Sequence, residues 1–169
     1  MDKDWHSYAA EQIPAEILYG GVRFHTAPAD APNAVACDGQ VAALPAGTRG
    51  VYLLAASAAD DKDAVFTCGS SVKVHIPSWT GFFGSGRWEP YEAFLKEGDV
   101  AYIGPHRHDA SLRDEVYVQT YMYRVYIPVP EGATRLELPK DKDITLFAAE
   151  ARLTPRFPAC EISDSVTRL

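Results

Sequence analysis

The sequence predicts an all-β protein, an antiparallel β-sandwich or jelly roll, and three observations support this fold class. Strand-like apolar runs recur along residues 20–153 at a spacing of about eight to twelve residues. Turns separate these runs, and the chain holds 12 Pro and 12 Gly. Aromatic residues, which favour strands, make up 11% of the chain. We therefore assign residues 20–153 to one β-sandwich domain, residues 1–19 to a lead-in or linker, and residues 154–169 to a C-terminal tail or linker.

Local patterns predict the individual elements. Within the lead-in, a short helix can extend to Gln12 before Pro14 interrupts it. Residues 51–56 are continuously apolar, which is typical of a strand covered on both faces. Two alternating runs on either side of Gly69-Ser70 predict a hairpin. In chain order, the expected strands lie at residues 21–25, at two short stretches within 33–44 around Asp38-Gly39, and at 51–56, 64–68, 72–76, 116–128, 136–138 and 144–153.

Composition and charge exclude several classes of partner. The net charge of -7 argues against nucleic acid and against an anionic membrane surface. No segment is long and apolar enough to span a membrane, and the first residues lack the apolar centre of a signal peptide. The three cysteines, Cys37, Cys68 and Cys160, are widely spaced and form neither a disulfide framework nor a CxxC zinc motif. Reduced thiols favour the cytoplasm, although the sequence leaves the localisation open.

Two clusters of aromatic and polar residues, at 78–88 and 102–109, are the candidate functional surface. Aromatic faces can stack on a pyranose ring, while Arg and His side chains hydrogen-bond its hydroxyl groups. Loops at one end of a jelly roll converge, so the two clusters can share a surface. The alternative is structural: Trp79 is buried under the sheet, and Arg107 pairs with Asp109 or Glu115. The candidate carbohydrate-binding residues are Trp79, Trp88, Tyr102, His106, Arg107 and His108.

Catalytic and metal chemistry have weaker signals. His106-x-His108 could present two imidazoles on one strand, as in a cupin-like metal-dependent enzyme, but no histidine follows His108 and Glu115 comes late. We therefore expect neither a catalytic metal nor catalytic residues in this chain. The loop acids Glu89, Glu92 and Glu97 are expected to be solvated rather than a glycosidase pair. No cofactor is expected, apart from a possible structural calcium ion at Asp60, Asp61 and Asp63 as the alternative to a plain solvated turn.

An ordered succession of short motifs carries a family resemblance. The motifs are Asn33-Ala34-Val35-Ala36-Cys37-Asp38-Gly39-Gln40, Leu44-Pro45, Val51-Tyr52-Leu53-Leu54-Ala55-Ala56-Ser57, Trp79-Thr80-Gly81, His106-Arg107-His108, Pro130-Glu131-Gly132-Ala133, Leu136-Glu137-Leu138-Pro139 and Asp143-Ile144. Over residues 17–152, this succession resembles the β-sandwich region in the C-terminal half of bacterial α-mannosidases of glycoside hydrolase family thirty-eight. The individual positions that match recurring motifs of that family are Asn33, Gln40, Trp79, Gly81, His106, Arg107 and His108.

The resemblance implies a galactose-binding-like, jelly-roll accessory domain of a large glycoside hydrolase. In that family, a separate zinc-bearing domain with an aspartate nucleophile performs the chemistry, and none of these 169 residues matches it. The resemblance therefore implies a non-catalytic module that binds carbohydrate or packs against another domain. Its implied partners are mannose-containing glycans or a neighbouring hydrolase domain.

Overall fold

The structure is a computed structural model that describes residues 2–80, 98–116 and 118–153. Within these ranges the chain forms β-strands joined by turns, and the short 3-10 helix at Ala10–Gln12 is the one helix. No helix in the described part of the chain is long and apolar enough to cross a membrane. The strands are β1 (Ser7–Tyr8), β2 (Glu16–Tyr19), β3 (Val22–His25), β4 (Val35–Ala36), β5 (Val41–Ala43), β6 (Gly50–Ser57), β7 (Lys62–Cys68), β8 (Ser70–Ile76), β9 (Asp99–Gly104), β10 (Arg107–His108), β11 (Asp114–Glu115), β12 (Thr120–Pro128), β13 (Arg135–Glu137) and β14 (Ile144–Arg152).

Two antiparallel sheets form the sandwich. One sheet has five strands in the order β4-β14-β6-β12-β9, and the other has four in the order β5-β13-β7-β8. The core between them contains alternating residues of both sheets, including Leu53, Phe66 and Ile127, each at most 1% exposed. The predicted all-β sandwich is therefore confirmed. The galactose-binding-like assignment is finer than this architecture and stays a prediction.

The continuous apolar run predicted at residues 51–56 is the middle strand β6 of the five-stranded sheet, and all its residues are buried. Side chains alternate between the two faces of a strand. Val51, Leu53 and Ala55 enter the core between the two main sheets. Tyr52, Leu54 and Ala56 enter a second core on the opposite face of the same sheet. The strand is apolar throughout because it contributes to two cores.

The second core is closed by residues of the predicted lead-in together with the strand expected at residues 21–25, which is β3. Strand β2 pairs with β3, and this hairpin buries Ile17, Val22 and Phe24 against the five-stranded sheet. Tyr8 of β1 is also buried there, at 6% exposure. The expected helix up to Gln12 is a single 3-10 turn. The N-terminal segment thus forms a third layer of the folded body.

The hairpin predicted around Gly69-Ser70 is confirmed as β7 and β8. Gly69 has φ +71, a left-handed conformation that favours glycine in a tight turn. The predicted alternation also holds, because Ile76 is buried while His75 is exposed. The strand expected at 116–128 begins later, at Thr120.

Candidate functional site

The second predicted cluster lies on a small sheet of three strands in the order β1-β10-β11. Arg107 of β10 stands opposite Tyr8 on one side and Glu115 on the other. His108 stands opposite Ser7 and Asp114. Directly opposed residues share a face of a sheet, so the register sorts the cluster into an arginine face and a histidine face.

The side chain of Arg107 already contacts other residues of the chain. Its Nε donates a hydrogen bond to Glu115, and its guanidinium lies 5.9 Å from the centre of the Trp79 ring, within range of a cation–π contact. A second nitrogen lies 3.8 Å from Asp2, and the side chain is 19% exposed. The pairing with Glu115 is one of the two predicted structural alternatives, and it leaves little of the guanidinium for a ligand.

Asp109, the other predicted partner of Arg107, instead forms its hydrogen bonds within its own loop. One carboxylate oxygen accepts hydrogen bonds from the backbone N–H groups of Ser111 and Arg113, at 2.8 and 3.0 Å. The guanidinium of Arg113 binds the other oxygen at 2.7 Å. These bonds, that of the Arg113 backbone foremost, lower the pKa of Asp109 to about 2.

Trp79 is in the second core, not on a surface. It is 2% exposed, and its ring contacts that of Tyr8 at a centroid distance of 5.1 Å. An indole enclosed in this way has no face for a sugar ring, so its predicted stacking role does not fit the structure. Tyr102 is partly buried, and its hydroxyl donates to the Gln12 carbonyl at 3.2 Å. Trp88 and the loop acids Glu89, Glu92 and Glu97 lie outside the described residues.

His106 and His108 meet two carboxylates from separate elements. Nε2 of His108 lies 3.4 Å from Glu11 Oε1 and 3.2 Å from Asp114 Oδ1. Nε2 of His106 lies 3.4 Å from the same Asp114 oxygen. The centroids of the His106 and His108 rings are 5.4 Å apart. The pair of histidines was evident as a candidate in the sequence, but Glu11 and Asp114 were not. Only the fold brings the 3-10 helix of Glu11 to this strand.

The acidic turn proposed as a calcium site has other partners. Asp61 Oδ1 accepts a hydrogen bond from the Ser78 backbone at 2.7 Å. Asp63 pairs with Lys73 at 2.8 Å and with His75 at 3.1 Å. Two of the three carboxylates therefore already take part in intramolecular bonds. The calcium ion stays a prediction.

An apolar cleft of about 460 Å³ opens at one side of the sandwich. Edge strands β4 and β5, which belong to different sheets, flank it. Val35 and Val41 on these strands are 49% and 58% exposed. The side-chain amide of Gln40 is engaged locally, with the Ala36 carbonyl at 2.8 Å and the Asp38 N–H at 2.7 Å. Further apolar lining comes from Leu53, Leu136, Leu146 and Phe147.

These features define a β-sandwich domain with an apolar cleft on one side and a polar cluster near its N-terminal strand. The model of the AziU2-like beta-sandwich domain family matches residues 1–153, and the chain belongs to that family. No curated protein matches the chain significantly. The match includes residues 1–19, as the packing of the N-terminal segment would require. It carries no link to the α-mannosidases of glycoside hydrolase family thirty-eight, so that resemblance stays a prediction.

Proposed function

We propose that this domain is a non-catalytic binding module that packs against a protein partner through the apolar cleft. The observation that carries the proposal is the position of the cleft between two edge strands of different sheets. Exposed apolar clefts are costly in water and commonly mark interaction sites. This proposal corresponds to the domain-packing role expected from the sequence.

The edge strands favour a polypeptide over a small ligand. Each of β4 and β5 pairs with a neighbour on one side only within the described residues. Their outer edges therefore offer backbone hydrogen-bonding groups beside an apolar cleft. An extended segment of a partner can use both features, with main-chain bonds at an edge and apolar side chains in the cleft.

Carbohydrate binding has less support from the described residues. The cleft is lined mainly by aliphatic side chains, and a sugar needs hydrogen-bond partners for its hydroxyl groups. Trp79 is buried, and Arg107 is paired with Glu115. The mannose-binding role and the location in an α-mannosidase-like hydrolase stay predictions from the resemblance.

Site-specific photo-crosslinking can test the proposed interface. A photoreactive phenylalanine analogue replaces Val41 in one variant and, as the matched control, Val65 in another; Val65 is a strand valine with 48% exposure on β7. The chain is expressed in its native host, irradiated, and the crosslinked protein is identified and produced in pure form. Its affinity is then measured by calorimetry for the wild type and for Val41→Glu and Val65→Glu.

We expect one protein to crosslink at position 41 and not at 65. Its affinity should fall at least tenfold with Val41→Glu, because the change places a charge at the apolar rim. Val65→Glu should leave the affinity unchanged. Equal crosslinking at both positions would contradict the proposal. So would equal affinities for the two variants, or a copurified small apolar molecule that Val41→Glu displaces.

A further inference from the structure

We propose that Glu11, His106, His108 and Asp114 form a binding site for one divalent transition-metal ion, with Zn²⁺ as the best-matched chemistry. The site is independent of the proposed partner cleft. Two observations carry the inference: the spacing of the ligand atoms and an unpartnered buried nitrogen on His106. Imidazole nitrogen and carboxylate oxygen are a ligand set that Zn²⁺ accepts in proteins.

The spacing of the side-chain atoms fits a single ion. Zinc binds nitrogen and oxygen at about 2.0–2.1 Å in a tetrahedron, which sets neighbouring ligands about 3.3 Å apart. The distances from His108 Nε2 to Glu11 and Asp114 are 3.4 and 3.2 Å, and that from His106 Nε2 to Asp114 is 3.4 Å. Ligand atoms of Glu11 and both histidines also lie within 4.8 Å of one another. The Asp114 oxygen adjoins this group through its contacts with both histidines.

His106 supplies the second observation. Its side chain is 10% exposed, and Nε2 is buried without a hydrogen-bond partner among the described residues. The Asp114 oxygen at 3.4 Å lies within ion-pair distance, but the pair does not meet hydrogen-bond geometry. Buried polar atoms without a partner are rare and call for an explanation. A metal ion bound to the nitrogen lone pair would supply the missing partner.

The charges of the cluster also match a divalent cation. Two neutral imidazoles and two carboxylates around a dication give a site with no net charge. The carboxylates of Glu11 and Asp114 are 58% and 57% exposed, which leaves an entry path from solvent.

The position of the ligands indicates a structural role for the ion. Glu11 lies on the 3-10 helix, His108 on β10 and Asp114 on β11. Bound metal would therefore fasten the N-terminal segment to the strands it covers. Four protein ligands form a closed site, as in structural rather than catalytic zinc centres.

Metal binding by the full chain tests this inference. All variants carry Cys160→Ser, so that this thiol contributes no ligand. The protein is freed of metal with a chelator, titrated with Zn²⁺ against a chromophoric competitor, and analysed for bound metal by mass spectrometry. Titration with Co²⁺ reports the geometry through its visible absorption. The ligand variants are His108→Ala and the more conservative Glu11→Gln with Asp114→Asn. The control is His75→Ala, which removes an exposed histidine from another carboxylate contact.

We expect one Zn²⁺ per chain and the intense visible bands of tetrahedral Co²⁺. Since loss of a mere outer-shell partner costs about 10–100-fold in affinity, either ligand variant should lose at least about a hundredfold. His75→Ala should bind as the parent does. Metal-free melting curves show whether each variant folds, and the Glu11→Gln, Asp114→Asn variant keeps both histidines in place.

Absence of stoichiometric binding in the folded parent would overturn the inference. So would equal affinity in the ligand variants and the parent, which would mean that the metal binds elsewhere in the chain. Loss of binding with His6→Ala alone would place the metal at the separate Asp2, Asp4 and His6 group and would also refute it.

Discussion

Replacement of Tyr8 by alanine tests whether the N-terminal segment is an integral layer of the fold. Tyr8 is 6% exposed, and its ring contacts those of Trp79 and Phe147, each at 5.1 Å between centroids. Its hydroxyl donates to the Tyr121 carbonyl at 2.6 Å. Truncation removes these contacts and leaves a cavity beside Trp79. A large buried aromatic changed to alanine costs about 3–5 kcal/mol, so we expect the free energy of unfolding to fall by that amount.

Two further variants separate the contributions to this loss of stability. Tyr8→Phe keeps the ring and removes only the hydroxyl donor, which should cost about 1 kcal/mol. Trp5→Ala changes a neighbouring aromatic that is 78% exposed, and it should stay within about 0.5 kcal/mol of the wild type. The comparison separates burial of the ring from its hydrogen bond and from a general effect of the N-terminus.

Urea denaturation followed by tryptophan fluorescence and by far-UV circular dichroism measures the three changes. For a chain of this size, a loss of 3–5 kcal/mol should also lower the melting temperature by about 6–20 °C. If Tyr8→Ala lies within about 1 kcal/mol of the wild type, the segment does not pack on the second core in solution. The reasoning from its burial would then be refuted.

Two other predictions follow from shifted pKa values. Burial, together with the negative charge of Asp141, raises the pKa of Cys37 to about 12. Burial also raises the pKa of Cys68, so in the Cys160→Ser variant both remaining thiols should react with a disulfide reagent at pH 8 far more slowly in the native protein than in urea. Fast native labelling of a peptide that contains Cys37 would contradict its burial. Its neutral form also favours the folded state, so that contribution should be full below the unfolded-state pKa and decline as the pH rises toward about 12. For Asp109, the folded-state pKa of about 2 means that its contribution is present above the unfolded-state value and is lost as the pH falls toward 2. Carboxyl NMR titration should show this midpoint, and a value near 4 would mean that the loop bonds to Arg113 do not form in solution.

The main strands could be predicted because a few consecutive residues already show the pattern of apolar and polar side chains that marks each strand. The apolar run of β6 indicated a strand covered on both faces, and the alternation around Gly69 indicated the β7–β8 hairpin. Strands β1 and β2 gave no comparable signal, whereas β3 was expected at residues 21–25. Strand β1 has only two residues, too few for any periodicity, and it forms because β10 lies beside it in the fold. Pairing with a strand that is distant in sequence therefore makes part of the predicted lead-in a strand of the fold.

The candidate site was predictable only where its residues are neighbours in sequence. His106 and His108 are separated by one residue, so their shared position was visible from the chain. Glu11 joins them across a large sequence separation, which no local pattern records. For Trp79, both alternatives stayed open in the sequence: a sugar-stacking aromatic or an indole buried under the sheet. The structure buries it, partly against Tyr8 of the distant β1 strand.

The central position of β6 has a consequence for how the chain is made. In the five-stranded sheet its neighbours are β12 and β14, which leave the ribosome long after β6 does. Until then, a strand whose residues all become buried is exposed on both faces and along both edges. Such segments are prone to intermolecular pairing. The nascent chain therefore lacks both sheet neighbours of β6 until β12 is made and one of them until β14 is made, and we expect fragments that end before β12 to aggregate.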